Sequence, residues 1–279
     1  MTTTAKILVT GGTGKTGRRV AQRLREVGVP VRVASRSAAV PFDWADRSTW
    51  TSALRGVEAA YLAYAPDLAA PGAPETIDAF TRQAARAGVR RLVLLSGRGE
   101  EEARACERIV QDAGPAWTVL RASWFCQNFS EDYLLDPVRG GVVVLPTGDV
   151  PEPFVDADDI ADVAVAALTG DGHHGRVYEL TGPRALTFGQ AIGEIAAATG
   201  REIRFMQVPL QAYTGELARQ GVPSEVVELL GYLFGTVLDG RNAVPADGVR
   251  QALGRDPRDF AAYARATAAT GAWTATEAS

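Results

Sequence analysis

Short apolar runs and amphipathic stretches alternate along the first half of the chain. The apolar runs, which predict β-strands, lie at residues 7–9, 29–34, 59–63, 91–95 and 117–120. The stretches between them, which predict helices, lie at residues 16–27, 48–54, 75–87 and 100–113. This alternation predicts an α/β fold of the Rossmann type, a doubly wound parallel sheet with right-handed crossovers.

The second half mixes strands and helices less regularly. Strands are predicted at residues 142–145 and 176–180, and helices at 156–168, at 209–234 in two pieces broken near 221–223, and at 260–269. Thr187 begins another helix, with Gln190 as its capping-box partner. We expect residues 1–140 to form the Rossmann core. Residues 141–279 are expected to form an interleaved, smaller C-terminal region that completes the sheet and covers a cleft at its carboxyl edge.

Glycines cluster between the first predicted strand and the first predicted helix. Gly12, Gly14 and Gly17 fit the spacing G-x-G-x-x-G, and Gly11 with the last two fits G-x-x-G-x-x-G. Such glycines let the chain turn sharply, bring its backbone close to a pyrophosphate and pack the helix against the strand. N–H groups at the start of the helix then bind the anion. The loop predicts a dinucleotide site, and the alternative is a turn with a structural role only.

A Walker A loop is a second interpretation, because Gly14-Lys15-Thr16 matches the end of that motif. The motif requires glycine five residues before Gly14, where the sequence has Val9. Strand four ends at Ser96 rather than at an aspartate. Both departures argue against nucleoside triphosphate hydrolysis.

The end of strand two bears on which dinucleotide is bound. NAD-specific folds place an acid there, whereas this chain reads Ala34-Ser35-Arg36-Ser37. A guanidinium suits a 2′-phosphate, so NADP(H) is preferred, with NAD(H) as the alternative and a solvated surface charge as the other reading of Arg36. Asp43 and Trp44 follow the strand and can contact adenine, although Trp44 can equally be packing. The predicted cofactor-binding residues are Gly11, Thr13, Gly14, Lys15, Thr16, Gly17, Ser35, Arg36, Asp43, Trp44, Ala63 and Ser96.

Composition narrows the class of partner. A net charge of -4 without a long basic run argues against nonspecific nucleic-acid binding. Two cysteines in 279 residues make no disulfide framework. The start, Met1 to Lys6, has no signal-peptide layout, and no apolar stretch reaches membrane-spanning length. We expect a cytoplasmic protein with a small-molecule substrate and with no nucleic-acid or membrane partner, either a monomer or a homodimer.

With the glycine loop, later segments resemble the NmrA-like family of atypical short-chain dehydrogenase/reductases. The matching segments are residues 11–17, 57–62, 91–97, 117–129, 153–163 and 178–183, spread over nearly the whole chain. The tail, with Leu253-Gly254-Arg255 and Phe260, is similar to the branch that includes agroclavine-dehydrogenase-type imine reductases. The resemblance implies a Rossmann fold and a cofactor site. It leaves catalysis open, because the family contains both NADPH-dependent reductases and redox-sensing regulators that bind the cofactor without turnover.

The Tyr-x-x-x-Lys pair of most short-chain dehydrogenases is missing. In that pair the lysine lowers the tyrosine pKa, but here no lysine follows Lys15. The catalytic lysine of isoflavone-reductase-like relatives, expected on the helix after strand four, is also missing. An enzyme of this kind transfers hydride to an activated acceptor, such as an iminium, a quinone or an enone, for which a positioned nicotinamide and an apolar pocket suffice. The alternative is a noncatalytic NADP(H)-sensing regulator.

Residues at the carboxyl ends of strands are the ones expected to reach the substrate pocket. The candidates are Tyr64, Ser96 with Gly97, Trp124, Phe125 and Asn128. Ser96 either bonds the nicotinamide ribose or substrate, or serves as a turn or cap residue. Trp124 and Phe125 are either pocket wall or core, and Cys106 is interpreted as a buried small residue. His173 and His174 lie in a predicted turn without nearby acids or thiols, so no metal site is expected.

Overall fold

The computed structural model describes residues 6–275, so the expectation about the first residues of the chain falls outside the described range. The chain divides into two compact units. The first, here called the sheet unit, comprises Met1–Ala122, Ala157–Leu180 and Asp247–Arg255. The second unit comprises Ser123–Asp156, Thr181–Ala246 and Asp256–Ser279. The chain leaves the sheet unit at Ala122 and returns to it at Ala157.

A parallel β-sheet forms the centre of the sheet unit. Within the described residues its strands are β1 (Lys6–Thr10), β2 (Val31–Ala34), β3 (Val57–Leu62), β4 (Arg91–Gly97), β5 (Ala116–Ala122) and, later in the chain, Arg176–Leu180. The last of these strands is β7. Strand β6 (Val142–Leu145) precedes β7 along the chain but lies in the second unit, where β6 pairs with β8 (Arg204–Gln207). The order across the sheet is β2-β1-β3-β4-β5-β7, with every pair parallel. The predicted Rossmann-type sheet is confirmed.

The helices of the sheet unit connect these strands. They are α1 (Gly17–Glu26), α2 (Trp50–Leu54), α3 (Ala73–Arg86), α4 (Ala103–Asp112), α7 (Ala157–Thr169) and α11 (Gly248–Leu253). Residues 60, 62, 92 and 94 alternate along β3 and β4 towards one face, where they pack with Phe80 of α3 and Val110 of α4. Parallel strands buried on both faces are continuous apolar runs, which is why the sequence pattern located them.

The second unit holds the remaining helices. They are α5 (Asn128–Glu131), α6 (Leu135–Arg139), α8 (Phe188–Thr199), α9 (Leu210–Arg219), α10 (Ser224–Tyr232) and α12 (Phe260–Ala269). The capping box of Thr187 and Gln190 at the start of α8 is confirmed, as is the break between α9 and α10. Its core is rich in aromatic rings, with Phe129, Phe154 and Phe188 fully or almost fully buried.

The sequence pattern missed the short helices α5 and α6, and also β8 and α11. Strand β8 has three exposed positions of four, so it carries no apolar signal and depends on its pairing with β6. Helix α11 is one short stretch in which Gly248 allows close approach to β7, since a Cβ there would lie 2.7 Å from the Glu179 carbonyl carbon. Neither feature has the length or period that identifies a segment from sequence alone.

Candidate nucleotide-binding site

The glycine loop occupies the turn between β1 and α1. Gly11 has a φ of +58°, and its carbonyl oxygen accepts a hydrogen bond of 2.8 Å from the Gly14 N–H. Helix α1 then begins at Gly17 without a side-chain cap from Thr16 and without an acid in its first turn. An uncapped helix start with its positive dipole end exposes N–H donors to an anion. Thr13 and Gly14 are exposed at this turn and Lys15 is half-buried.

Two glycines of the loop are required by packing. A Cβ on Gly17 would lie 2.7 Å from the carbonyl carbon of Gly11 and 2.9 Å from the Cα of Gly12. A Cβ on Gly12 would lie 2.5 Å from Cγ1 of Val33 on β2. The loop therefore folds tightly onto the first turn of α1 and onto the neighbouring strand. Close packing of this kind, of the helix start against the loop and the strand, is one of the roles that glycines have in dinucleotide-binding loops.

Thr10, which was not among the residues predicted from the sequence, fixes the loop to β3. Its hydroxyl donates a hydrogen bond to the Tyr61 carbonyl over 3.1 Å and accepts one from the Ala63 N–H over 2.9 Å. Ala63 lies against the loop, since a Cβ on Gly11 would lie 3.2 Å from the Ala63 Cβ. Thr10 is fully buried, and a threonine ending an apolar strand gives no sequence signal for this bracing role.

The end of β2 carries an unpaired cation beside an unsatisfied hydroxyl. Within residues 6–275, the exposed Arg36 guanidinium forms no ion pair or side-chain hydrogen bond. The adjacent Ser35 hydroxyl oxygen is buried and has no hydrogen-bond partner. A buried hydroxyl without a partner costs free energy, about 1–3 kcal/mol, unless a ligand satisfies it. The pair fits a phosphorylated ribose, because both groups can donate to phosphate oxygens.

Trp44 is placed as a packing residue rather than as an open face for adenine. Its ring lies 4.9 Å from Phe42, 4.9 Å from Phe80 and 5.2 Å from Tyr64, measured between centroids. Its indole N–H donates a 3.1 Å hydrogen bond to the Ala63 carbonyl. The structure thus favours the packing alternative for Trp44. Asp43, half-buried, accepts a 3.0 Å hydrogen bond from the Ala45 N–H and remains a candidate for the adenine edge.

Ser96 belongs to a buried ionic network at the end of β4. Its hydroxyl, in a side chain only 4% exposed, donates a 2.7 Å hydrogen bond to Glu107 of α4. Arg121 of β5 contacts the same carboxylate at 2.6 Å, and Glu107 holds the pKa of this arginine above its usual value. Arg98 and Arg121 both pair with Glu179 of β7. Ser96 therefore has its proton committed, so it can offer a ligand only an acceptor. Neither Glu107 nor Arg121 lies in a sequence motif that marks it as a site residue.

The other pocket candidates fall in two places. Tyr64 is half-buried in the sheet unit against Trp44. Trp124, Phe125 and Asn128 lie in the second unit, all half-buried. There the Trp124 ring lies 5.3 Å from Phe188, and the Asn128 N–H bonds the Phe125 carbonyl over 3.1 Å. Among the candidates, Ala63, Tyr64 and Ser96 lie on the sheet unit, at the carboxyl ends of β3 and β4.

The cysteines and histidines have structural surroundings. Burial raises the pKa of the Cys106 thiol to about 12, which argues against a reactive thiolate. His173 shares a 2.9 Å hydrogen bond with the Tyr178 hydroxyl, and His174 accepts one of 3.2 Å from the Trp117 N–H. In the part of the chain that the structure describes, no group of three His, Cys, Asp or Glu side chains is placed to hold a metal ion. None of the helices described there is long and apolar enough to cross a membrane.

The fold and the glycine loop together define a nucleotide-binding protein of the Rossmann type. The model of the NAD(P)H-binding family matches residues 11–171. The uncharacterized oxidoreductase YesF of Bacillus subtilis is 34% identical over 96% of this chain and 98% of its own length. The chain belongs to this NAD(P)H-binding family, as an NmrA-like member of the atypical short-chain dehydrogenase/reductases whose relatives are NAD(P)H-dependent oxidoreductases.

Further relatives show the range of the family. The (4-alkanoyl-5-oxo-2,5-dihydrofuran-3-yl)methyl phosphate reductase of Streptomyces griseus is 34% identical over 91% of this chain and 95% of its own length. Agroclavine dehydrogenase of Claviceps fusiformis is 30% identical over 92% and 95%, respectively. An NADPH-dependent quinone oxidoreductase of Escherichia coli, solved with NADPH, has the same fold at a TM-score of 0.78 and 22% identity, covering 92% of this chain and 98% of that one.

Proposed function

We propose that this oxidoreductase is an NADPH-dependent reductase of small hydrophobic acceptors activated by conjugation or charge, namely enones, quinones or iminium ions. The observation that carries the cofactor preference is the unpaired Arg36 guanidinium beside the unsatisfied Ser35 hydroxyl. When bound, the reduced nicotinamide supplies the hydride. The protein's own residues hold and orient the dinucleotide and the acceptor.

The residues that would hold the dinucleotide lie in the loop after β1 and at the end of β2. The glycine loop and the uncapped start of α1 would bind the diphosphate. Ser35 and Arg36 would bind the 2′-phosphate of the adenosine ribose, and Lys15 adds positive charge to the loop. No acid stands directly at the end of β2, in Ser35 to Ser37, to take up the ribose hydroxyls of NADH. The charge pattern at this end of the site therefore favours NADPH.

The acceptor class follows from what the chain lacks and from its relatives. Without a lysine after Lys15 there is no lysine-assisted tyrosine to activate an ordinary ketone. Acceptors that take hydride readily need mainly a fixed geometry. The name of the Streptomyces griseus relative specifies a 4-alkanoyl-5-oxo-2,5-dihydrofuran, whose ring double bond is conjugated with carbonyl groups. We therefore propose that this chain also reduces a conjugated, electron-poor acceptor.

Aromatic residues of the second unit support a flat, apolar substrate. The Trp124 and Phe234 rings lie 5.1 Å apart at 32°, and Tyr213 lies 5.6 Å from Phe234. The buried Tyr133 hydroxyl has no hydrogen-bond partner. Helices α9 and α10 have no fully buried residue, so their apolar side chains remain partly accessible within the second unit. Aromatic rings beside a hydroxyl without a partner suit recognition of a planar, apolar molecule that carries a hydrogen-bonding group.

A noncatalytic NADP(H) sensor is the second candidate, favoured by the missing Tyr-x-x-x-Lys pair. Steady-state oxidation of NADPH with a panel of iminium ions, quinones and enones separates the two functions. The reductase hypothesis expects turnover with at least one class. Tight NADPH binding with no turnover of any acceptor favours the sensor.

The cofactor preference is tested by Arg36→Ala. Loss of a charge-assisted contact is expected to weaken NADPH binding by about 10- to 100-fold, because such contacts contribute roughly 1.5–3 kcal/mol. NADH binding is expected to change by less than about threefold, since it lacks the 2′-phosphate that Arg36 would meet. The matched control is Arg86→Ala, which removes an exposed guanidinium from the last turn of α3. Equal losses for the two dinucleotides in Arg36→Ala would contradict the assignment.

A further inference from the structure

Ser96 is held in one orientation by a glutamate and an arginine of the sheet unit. Ser96 lies near the end of β4, opposite Arg121 of β5 in the strand register, and Glu107 of α4 contacts both side chains. The Ser96 hydroxyl donates a hydrogen bond to one Glu107 carboxylate oxygen over 2.7 Å. Arg121 donates to the same oxygen over 2.9 Å and to the other oxygen over 2.6 Å. Ser96 and Glu107 are only 4% and 2% exposed, so these contacts are shielded from water.

The chemistry of Glu107 fixes the direction of this hydrogen bond. A carboxylate in a two-point contact with a guanidinium only accepts hydrogen bonds, so the Ser96 proton must point at Glu107. The Ser96 oxygen keeps its lone pairs for a donor from elsewhere. Among the described residues, no N–H or O–H group donates to that oxygen. Ser96 therefore presents a hydrogen-bond acceptor that the described part of the chain does not use.

Stability alone does not account for a charged network at this place. Glu107 lies on the face of α4 that also buries Ala103, Cys106 and Val110, where an apolar side chain would pack without desolvating a charge. A buried ion pair is often no more stabilising than well-packed apolar residues of similar volume. What the network supplies, and apolar side chains cannot, is a serine with a fixed hydrogen-bonding direction at the carboxyl end of β4.

A bound dinucleotide brings hydrogen-bond donors to the same end of the sheet. In this fold it lies outside the carboxyl ends of the strands, where the strand order reverses, which here is between β1 and β3. With the adenosine half at Arg36, after β2, the nicotinamide half extends towards β3 and β4. Three strand spacings, about 14 Å, separate β2 from β4, and the diphosphate and two riboses of an extended dinucleotide bridge such a distance. The ribose beside the nicotinamide carries hydroxyl donors, which match the acceptor on Ser96.

We infer that Glu107 is a positioning residue for the cofactor: it turns the Ser96 proton towards itself, so that the Ser96 oxygen accepts a hydrogen bond from a hydroxyl of the nicotinamide ribose. The inference rests on dinucleotide binding by the sheet unit and not on the proposed acceptor or on turnover. Ser96 is consequently not a proton donor to a substrate, because its hydroxyl proton is bonded to Glu107. Arg121 acts one step further away, by holding the Glu107 carboxylate.

Three ligands of increasing length test the ribose contact by calorimetric titration. Adenosine 2′,5′-bisphosphate is the adenosine half alone, 2′-phospho-ADP-ribose adds the diphosphate and the second ribose, and NADPH adds the nicotinamide ring. We expect Ser96→Ala to weaken the two longer ligands by about 3- to 10-fold, the effect of one neutral hydrogen bond, and to leave the shortest within about twofold. Ser52→Ala, which removes an exposed serine hydroxyl from α2, should leave the affinity for all three unchanged.

Unchanged affinity of Ser96→Ala for both longer ligands would overturn the inference, as would an equal loss for all three. A loss for NADPH alone would move the contact to the carboxamide and overturn the ribose assignment. If the unchanged protein binds NADH more tightly than NADPH, the proposed cofactor preference fails, and ADP, ADP-ribose and NADH make the same comparison. The expected losses in Ser96→Ala, together with no turnover of any acceptor, would support this inference and contradict the reductase function.

A double-mutant cycle tests whether Glu107 acts through Ser96. Glu107→Gln introduces an amide N–H that can donate to the Ser96 oxygen and turn the Ser96 proton towards the ribose. This change should weaken 2′-phospho-ADP-ribose by about 3- to 10-fold relative to adenosine 2′,5′-bisphosphate, whose retained binding shows that the variant is folded. In the Ser96→Ala background it should alter that ratio by less than about twofold, because the residue through which Glu107 acts is gone.

Equal effects of Glu107→Gln in the two backgrounds would mean that Glu107 has a structural role only, and would overturn the positioning role. If Glu107→Gln does not fold, Arg121→Lys, which removes the two-point contact with Glu107, takes its place in the cycle with the same expected result.

Discussion

Replacing Gly17 by alanine tests whether the tight approach of the glycine loop to α1 is required. The added Cβ would lie 2.7 Å from the Gly11 carbonyl carbon and 2.9 Å from the Gly12 Cα, whereas ordinary contact starts at 3.4 Å. The loop backbone must therefore move by at least about 0.7 Å, because these neighbours are main-chain atoms and not flexible side chains. A shift of this size lengthens amide–phosphate hydrogen bonds beyond their useful range of roughly 2.7–3.2 Å.

Overpacking of this kind costs about 1–3 kcal/mol of folding free energy, which corresponds to a fall in Tm of roughly 2–12 °C for a chain of this size. NADPH affinity should fall by at least about tenfold, since several loop amides are displaced together. Thermal unfolding and calorimetric titration with NADPH measure the two effects. The matched control is Gly193→Ala in α8, where a Cβ meets nothing within 4 Å. That change should leave NADPH affinity intact and raise stability by about 0.5–1 kcal/mol. Unaltered NADPH affinity in Gly17→Ala would refute the reasoning.

Three further predictions concern Glu100, Glu107 and Trp44. The pKa of Glu100 is about 9 in the folded protein and near 4.5 in an unfolded chain. Between these pH values the folded state therefore binds one proton more than the unfolded state. The free energy of unfolding should consequently fall as pH rises, by up to about 1.4 kcal/mol per pH unit. Urea unfolding at several pH values should show a flatter slope for Glu100→Gln, and an identical slope would contradict the raised pKa of Glu100. Glu107→Gln removes the charge that Arg121 contacts at 2.6 Å. The free energy of unfolding measured in urea should fall by about 2–3 kcal/mol. A fall of less than about 0.5 kcal/mol would refute a structural role for this ion pair. Trp44→Phe should cost about 1 kcal/mol through its bond to the Ala63 carbonyl, with NADPH affinity changed less than about threefold, whereas a tenfold loss would make Trp44 an adenine contact.

The parts of the site that depend on local sequence were predictable. The glycine loop was identified because its spacing follows a strand and opens a helix, and Arg36 because strand ends in this fold face the ligand. The strands at residues 142–145 and 176–180 match the prediction at both ends, since their apolar runs are bounded clearly. Features that a short stretch of sequence determines, such as this loop and these strands, could therefore be predicted.

Contacts between distant segments were not predictable in the same way. Asp67 and Glu100 are 33 residues apart and meet because β3 and β4 are neighbours in register. Glu107 and Arg121 likewise meet across the end of β4, and neither residue has a distinctive neighbour in the sequence. The unsatisfied Ser35 hydroxyl is visible only when its surroundings are known. These features depend on tertiary packing, which residue spacing does not specify.

The central claim is that the glycine loop holds a dinucleotide diphosphate with Ser35 and Arg36 at the 2′-phosphate of its adenosine ribose. Calorimetric titration of the purified, unchanged protein with NADPH and with NADH tests it most directly. We expect saturable binding of one molecule per chain, with NADPH bound at least about tenfold more tightly because of one charge-assisted phosphate contact. Absence of binding for both dinucleotides would contradict the site, and tighter binding of NADH would contradict the role given to Arg36.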